Sequence, residues 1–413
     1  MNISKRFATA AGSKTFAAFR YRNYRLWFIG QLVSMVGTWM QNTAQGFLIY
    51  SLTGSVAYLG YVGFISGVPS WLFMLYGGLV ADRMSRRTLL IITQSAMMLL
   101  AFILAALVFT NVVQPWHILL LAFLLGVANA FDAPSRQAMI VELVDREDMT
   151  NAIAYNATVF NAGMIVGPAI GGLIYALTGP AWCFTINGIS FIAVIIALAM
   201  MQLKPMVVVP RVGSAFAAIK ESFRYVLGQR LVLTLTASVL ILNILGFGPM
   251  TLIPAWSVTI LNGDVTTNGL LLSARGVGAL IGGLAIAFLA SRKLRGKMWA
   301  ASSFLLPAAM LIFALTTSLP FSLFLMGLIG LAFITIMNNS NAMVQSTVPD
   351  ELRGRVMGLY SLMFMGGGPL GALIIGVIAD RTNEPLTVVL CAAGCLIFAV
   401  VVWIIRPEVR TME

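Results

Sequence analysis

Acidic residues are scarce in this chain. Its 413 residues hold 14 Asp and Glu against 26 Lys and Arg, one histidine and three cysteines, and only 10% of residues are charged. Soluble domains carry about a quarter charged residues, so a broad solvated surface is excluded. The cysteines, Cys183, Cys391 and Cys395, all lie inside apolar runs. Cys391 and Cys395 share a helix face at i and i+4 but lack the flanking ligands of a metal site, which leaves packing as their role. No Walker phosphate loop, nucleophile elbow or HExxH motif occurs. ATPase and hydrolase chemistry therefore have no foothold, and no cofactor or metal is expected. The formal net charge of +12 comes without a long basic tail, a zinc motif or an RNA-binding motif, so nucleic acid is not the expected partner. A secretory signal is also missing: the first long apolar run starts only after Arg25 and has no small-residue cleavage site close behind it.

Apolar residues, in contrast, make up 59% of the chain, with a mean hydropathy of +0.92. These values describe an all-α, multi-pass membrane protein. At about 20 residues per span, the apolar runs predict twelve transmembrane helices. Residues 1–25 form a basic lead-in, with a short amphipathic piece at Phe16 and Phe19 on the membrane surface. A first six-helix bundle spans 26–203, an amphipathic cytoplasmic linker 204–230, a second bundle 231–405 and a short tail 406–413. In the linker, Phe216, Ile219, Phe223 and Leu227 oppose Lys220 and Arg224. The seventh helix is expected as one unbroken run over 231–261, and the eighth is expected to begin at Gly269.

Every lysine and arginine except Arg275 and Arg381 falls in the tails or in the loops on one side. The positive-inside rule then puts both termini in the cytoplasm, consistent with an even number of spans. Two internal matches relate the bundles. Ala81, Arg83 and Arg86 align with Ala290, Arg292 and Arg295; Gly126, Ala138, Met139 and Glu147 align with Gly330, Ala342, Met343 and Glu351. A six-helix unit written twice suits alternating access, in which two similar bundles rock about a site between them.

Polar residues mark that site. Gln31, Ser34, Thr38, Gln41 and Gln45 recur at spacings of three and four, so they line one face of the first helix. An unpaired amide in lipid costs several kcal/mol, about the value of a lost hydrogen bond in hydrocarbon, so this face looks at other helices or at water. Interhelical hydrogen bonding and a cavity wall are the two readings of the stripe. Asn42, Asn129, Asn243 and Asn338 extend the candidate cavity. Asp132 lies four residues before Arg136, with which it is able to pair. Arg275 has no acid within one turn and suits either an anionic substrate group or a structural carboxylate. His117 follows Trp116 at a helix start and reads as an interfacial anchor. Gly163, Gly167 and Gly171 form a small-residue face beside Pro168 and Gly172, suited to close helix packing. Gly366, Gly367, Gly368, Pro369 and Gly371 give a similar, rearranged patch in the second half.

The stretch GLVADRMSRR, residues 78–87, contains Asp82, the first carboxylate of the chain, beside Arg83, Arg86 and Arg87. With GMIVGPAIGG in the fifth helix, it resembles the major facilitator superfamily, whose loop 2–3 signature is G-x-L-a-D-R-x-G-R-R/K. Val80 stands in place of Leu and Ser85 in place of the second Gly. RNYRLWFIGQLVSMVGTWMQ, FDAPSRQA and GPAWCFTINGISF resemble the enterobactin-exporter-like branch of bacterial efflux proteins. The resemblance implies two six-helix bundles related by a pseudo-two-fold axis. It also implies an inner gate in which Asp82 caps the helix start near Arg355 and Val356 in the outward-open state while Arg86 pairs with Asp132. The function it implies is export of small apolar or amphipathic organic compounds from the inner membrane by a monomer, coupled to protons. Unlike many proton-coupled drug exporters, this chain has no acid in its first helix. The alternatives are a lipid or lysophospholipid translocator and a non-transporting membrane sensor or scaffold.

Overall fold

The computed structural model describes residues 16–203, 223–289 and 294–412, apart from the side chains at 74, 75, 79, 81 and 82. Among these residues the long elements are all helices: α1 (Arg22–Thr53), α2 (Val56–Arg83), α3 (Arg86–Phe109), α4 (Pro115–Leu143), α5 (Met149–Thr178), α6 (Pro180–Met200), α7 (Arg230–Thr259), α8 (Val265–Leu289), α9 (Arg295–Leu315), α10 (Leu319–Thr347), α11 (Asp350–Arg381) and α12 (Glu384–Ile405). Eleven of them, α2 to α12, are both long and apolar enough to cross a membrane. The expected count of twelve spans is corrected to eleven by length and hydropathy among the described residues. At 32 residues α1 is long enough, but Gln31, Ser34, Gln41, Asn42, Thr43 and Gln45 lower its hydropathy below that of a lipid-facing span.

Helix ends follow local chemistry. Gly54 closes α1 in the left-handed region at φ 64°, and its N–H bonds the Tyr50 carbonyl, a geometry that favours glycine. Proline occupies the first turn of α4, α6, α10 and α12, where a missing N–H costs nothing. His117 forms a capping box with Gln114, its Nδ1 accepting from the Gln114 N–H at 3.0 Å, so its ring is engaged in ending a helix.

The lead-in does not lie wholly on the lipid. A 3-10 turn at Ala17–Arg20 brings Phe19 edge-on to Tyr24, Phe28 and Tyr155, locking it against α1 and α5, while Phe16 stays exposed. Of the linker, residues 223–228 are helical, with Phe223 and Leu227 exposed. Phe216, Ile219 and Lys220 lie outside the described residues, as do Ala290 and Arg292.

The two sets of six helices repeat one packing scheme. α2 packs on α4, α3 on α4 and α6, and α1 on α5 and α6; correspondingly α8 packs on α10, α9 on α10 and α12, and α7 on α11 and α12. The glycine face of α5 serves the α1 contact. A Cβ at Gly163 would stand 2.6 Å from Met35 Cγ, and one at Gly167 would stand 2.8 Å from the Val36 carbonyl oxygen. The glycine patch of α11 meets α7 in the same way at Asn243 and Ile244.

α7 departs from the expected unbroken helix. It is α-helical over Arg230–Leu242, a π-turn over Asn243–Phe247, 3-10 over Gly248–Leu252, then α-helical again over Ile253–Thr259. Pro249 removes a donor, Gly246 and Gly248 loosen the backbone, and the Asn243 amide bonds back to the Val239 carbonyl at 2.9 Å.

The halves meet along two reciprocal seams, α2 on α11 and α5 on α8. Gly60 and Gly376 touch backbone to backbone, a Cβ on Gly63 would overlap Ala372, and Gly366 lies against the Trp71 indole. Across the other seam Gly172 approaches Val265 and Thr266, Gly269 approaches Pro168, and Gly276 approaches Met164. These approaches run from the end of the bundle away from the chain termini to about mid-helix. Toward the terminus-bearing end, Gly78, Gly283, Gly354 and Gly358 have nothing within 4 Å, and Leu72, Tyr76 and Phe364 are exposed. Among the described residues, the close approaches between the halves are thus concentrated toward one end of the bundle and fall away toward the other.

Within the second half, a Cβ on Gly278 would lie 1.8 Å from the Gly327 carbonyl oxygen of α10. Gly278→Ala is expected to cost about 1–3 kcal/mol through forced helix separation, whereas Gly358→Ala should stay within about 0.5 kcal/mol. Thermal unfolding of the two detergent-solubilised variants against the parent checks this, and equal melting temperatures would contradict the packing described.

Candidate functional site

Between the halves lies a cavity of about 280 Å³, walled by α1, α2 and α4 on one side and by α7 and α8 on the other. Its polar groups are Asn42, Thr43 and Gln45 from α1, Ser66 from α2, Thr251 from α7 and Asn268 from α8. Leu59, Val62, Leu125, Met250 and Leu272 supply apolar wall. A mostly apolar chamber with a few convergent amides is the usual make-up of a small-molecule site.

The helix 1 stripe divides between this chamber and the α1–α6 contact. Gln45 and its neighbour Asn42 line the cavity. Gln41 instead accepts a 2.7 Å hydrogen bond from the Asn187 amide of α6. Gly37, between Ser34 and Gln41, faces Asn187 and Ser190, so this side of α1 is held against α6. Gln31 and Ser34 are buried, and Thr38 is half-buried outside the cavity wall. Asn129 is exposed on α4 and donates to its own Leu125 carbonyl, and Asn338 is exposed on α10. Asn243 is buried where α7 meets α10 and α11, contacting Met337 Sδ at 3.6 Å. None of Asn129, Asn243 or Asn338 lines the chamber.

Asn268 escaped the sequence reading because α8 starts four residues earlier than expected. Asp264 Oδ1 accepts from the N–H groups of Thr266 and Thr267 at 2.9 and 3.1 Å and so begins the helix at Val265. An Asp before two threonines at the head of an apolar run is the available signal. Arg275, three residues beyond Leu272, stands next to the chamber with its Cζ 5.0 Å from the Phe247 ring centroid. Phe247 ends the π-turn of α7.

A model of the family described as transmembrane secretion effectors matches residues 13–413. The chain belongs to that family, within the major facilitator superfamily. It is 27% identical to the multidrug efflux pump Tap of Mycolicibacterium fortuitum over 92% of this chain and 95% of that protein. It is 26% identical to the staphyloferrin A transporter of Staphylococcus aureus strain NCTC 8325 over 86% of this chain and 89% of that protein. Among solved structures it superposes on a variant of the nucleoside transporter NupG with a TM-score of 0.73 at 16% identity, covering 93% of this chain and 99% of that one. A bacterial homologue of the human lysosomal transporter Spinster gives a TM-score of 0.72 at 13% identity, covering 95% and 98%. The protein is thus a multi-pass membrane transporter and not an enzyme.

In this secretion effector the charged loop after α2 makes contacts other than those expected for the outward-open state. Arg86 reaches Glu142 at 2.7 Å and the Ala138 carbonyl at 3.0 Å, not Asp132. Asp132, fully buried, is held by Arg136, by Thr93 Oγ1 and by Gln94 Nε2, the last two at 2.9 Å. The i, i+4 partner is simply nearer than the loop arginine. Arg87 donates to the Met201 and Ala199 carbonyls at the end of α6. Arg83 and Arg355 are exposed, and Arg353 pairs with Asp350 at the head of α11. Asp82 falls in the last turn of α2, and its side chain lies outside the described residues.

The opposite, closed end of the transporter carries a carboxylate latch that sequence reading missed. Asp380 of α11 accepts from Ser55 Oγ at 2.7 Å and from the Ala57 N–H at 3.2 Å, so one half caps the first turn of α2 in the other. A carboxylate at an exposed helix N-terminus is worth about 0.3–1 kcal/mol. Asp380→Ala is therefore expected to shift the balance of states away from this closure by about two- to fivefold. A thiol reagent applied from the Asp380 side should label Ser66→Cys faster in that background, since Cys183, Cys391 and Cys395 are buried. Unaltered labelling would mean that the latch carries no weight.

Proposed function

We propose that this protein exports small apolar or amphipathic organic compounds from the cytoplasm by alternating access, in exchange for protons. The observation that carries the reading is the chamber between two halves whose close approaches, among the described residues, run from one end of the bundle to about mid-helix. A site enclosed by both halves changes its side of exposure when the halves rock. We take residues 26–203 and 231–405 as the moving bodies. By the positive-inside rule, the distribution of basic residues supports taking the terminus-bearing end as the cytoplasmic side of a bacterial inner membrane. The state described is then open to the cytoplasm, with Ser55, Asp380 and the glycine seams closing the outer side. The named activities of the relatives, multidrug efflux, macrolide efflux and staphyloferrin A transport, support this reading.

In the outward-open state Asp82 would reach the start of α11 near Arg355 and Val356. That gives reciprocal latches: an α11 carboxylate on the head of α2 at the outer end, and an α2 carboxylate on the head of α11 at the inner end. Each gains from the half positive charge of a helix N-terminus. Asn42, Gln45 and Asn268 would hold polar groups of the substrate, while Gln41, bonded to Asn187, ties α1 to α6 within the first half.

Proteoliposomes containing the purified protein should show macrolide or dye flux that rises severalfold with an imposed pH gradient. Flux indifferent to the gradient would sink proton exchange. Asp82→Asn should weaken the outward-open state and raise the labelling of cysteines introduced on the cytoplasmic side. Unchanged labelling there would remove Asp82 from the gate.

A further inference from the structure

Arg275 is the eleventh residue of α8, about 15 Å along the helix and near mid-bilayer. Its backbone is pinned, because Gly330 of α10 approaches the Arg275 carbonyl so closely that a Cβ would stand 2.1 Å away. The side chain is 9% exposed and its Nε is buried with no hydrogen-bond partner. Its one recorded contact of charge is with the Phe247 face. No carboxylate pairs with it among the described residues. Other arginines in the bundle are engaged: Arg136 with Asp132, Arg86 with Glu142 and Arg87 with carbonyls. A guanidinium does not escape the cost of burial by losing its proton, as a buried lysine does. An unpaired cation at this depth is therefore poised for an anion.

A second orphan sits two turns away. Asn268 is fully buried, both atoms of its amide lack partners, and it lines the chamber. Asn268, Leu272 and Arg275 follow one face of α8, and seven residues separate the Asn268 and Arg275 backbones by about 10 Å along the helix. Between them run Leu272 and Met250 of the chamber wall, with Phe247 beneath Arg275. One helix face thus offers a fixed cation, an apolar stretch and an amide able both to donate and to accept.

We infer that the transported compound is an amphipathic organic carboxylate whose anionic group pairs with Arg275, whose apolar body lies on Leu272, Met250 and Phe247, and whose far polar group bonds Asn268. This rests on the export reading for the site's purpose, yet it concerns binding alone. Bidentate carboxylate–guanidinium pairing supplies both charge and direction.

The test is equilibrium binding of dansylglycine and of its neutral counterpart dansylglycinamide to the full chain in detergent at pH 8. The parent protein should bind the carboxylate about tenfold more tightly than the amide. Arg275→Gln should abolish that preference, Arg275→Lys should keep most of it, and Asn268→Leu should weaken both probes alike. If Arg275→Gln fails to fold, the parent and Arg275→Lys still decide. Equal affinities in the parent, no binding of either probe, or a preference that survives in Arg275→Gln would overturn the inference. Flux of dansylglycine in proteoliposomes is read separately. Flux with equal probe affinities sinks the carboxylate site alone, while a carboxylate preference without flux supports the site and removes the export reading.

Discussion

A polar group carried into a bilayer has to find its partner inside the protein or in enclosed water, and this requirement organises the whole transporter. α1 shows how it is met. Gln41 spends its amide on Asn187 and binds α1 to α6, whereas Asn42 and Gln45, only one and four residues on, turn to the chamber. Asp132 draws Thr93, Gln94 and Arg136 around one carboxylate and so joins α3 to α4. Several buried polar atoms are left without a partner, and those of Asn268 and Arg275 lie in or beside the chamber, where an arriving group is able to satisfy them.

The two seams between halves divide the labour differently. Within each half, the helices pack on one another as α2 does on α4 and α8 on α10; between halves, among the described residues, the close approaches of α2 to α11 and α5 to α8 run from the end away from the chain termini to about mid-helix. A rigid body on each side of a short contact is the mechanical condition for rocking without unfolding. The latch from Asp380 to the first turn of α2 adds direction, because it exists only while that end is shut. The interruption of α7 belongs to the same design. By leaving the α-helical path at Asn243, the chain sets Phe247 beneath Arg275 and brings Met250 and Thr251 into the chamber wall.

Much of this was legible in the residues. Apolar runs, basic loops and the internal matches gave the helices and their doubling, and the glycines of α5 announced a close packing partner. The site was read less well, for physical reasons. A 3-4-3-4 polar stripe says that a face avoids lipid, but water and a neighbouring amide satisfy that demand equally; hence Gln41 and Gln45 look alike in sequence and part company in the fold. Asn243 and Asn129 bond to carbonyls one turn back on their own helices, a use of the amide that leaves no trace in spacing. Asn268 was hidden by a helix start set by Asp264, and the pairing of Asp380 with Ser55 joins residues distant in sequence, which no local pattern records.

Where Gly60 meets Gly376 and Gly172 meets Val265, the contact is backbone on backbone. Such a seam has almost no rotamers to freeze when it forms and almost none to release when it parts. Its opening and closing therefore differ little in entropy, and neither state is held by a jigsaw of side chains that must be unpicked. The timing of the cycle passes to the few groups that do discriminate between states: a carboxylate, a hydroxyl, and whatever occupies the chamber.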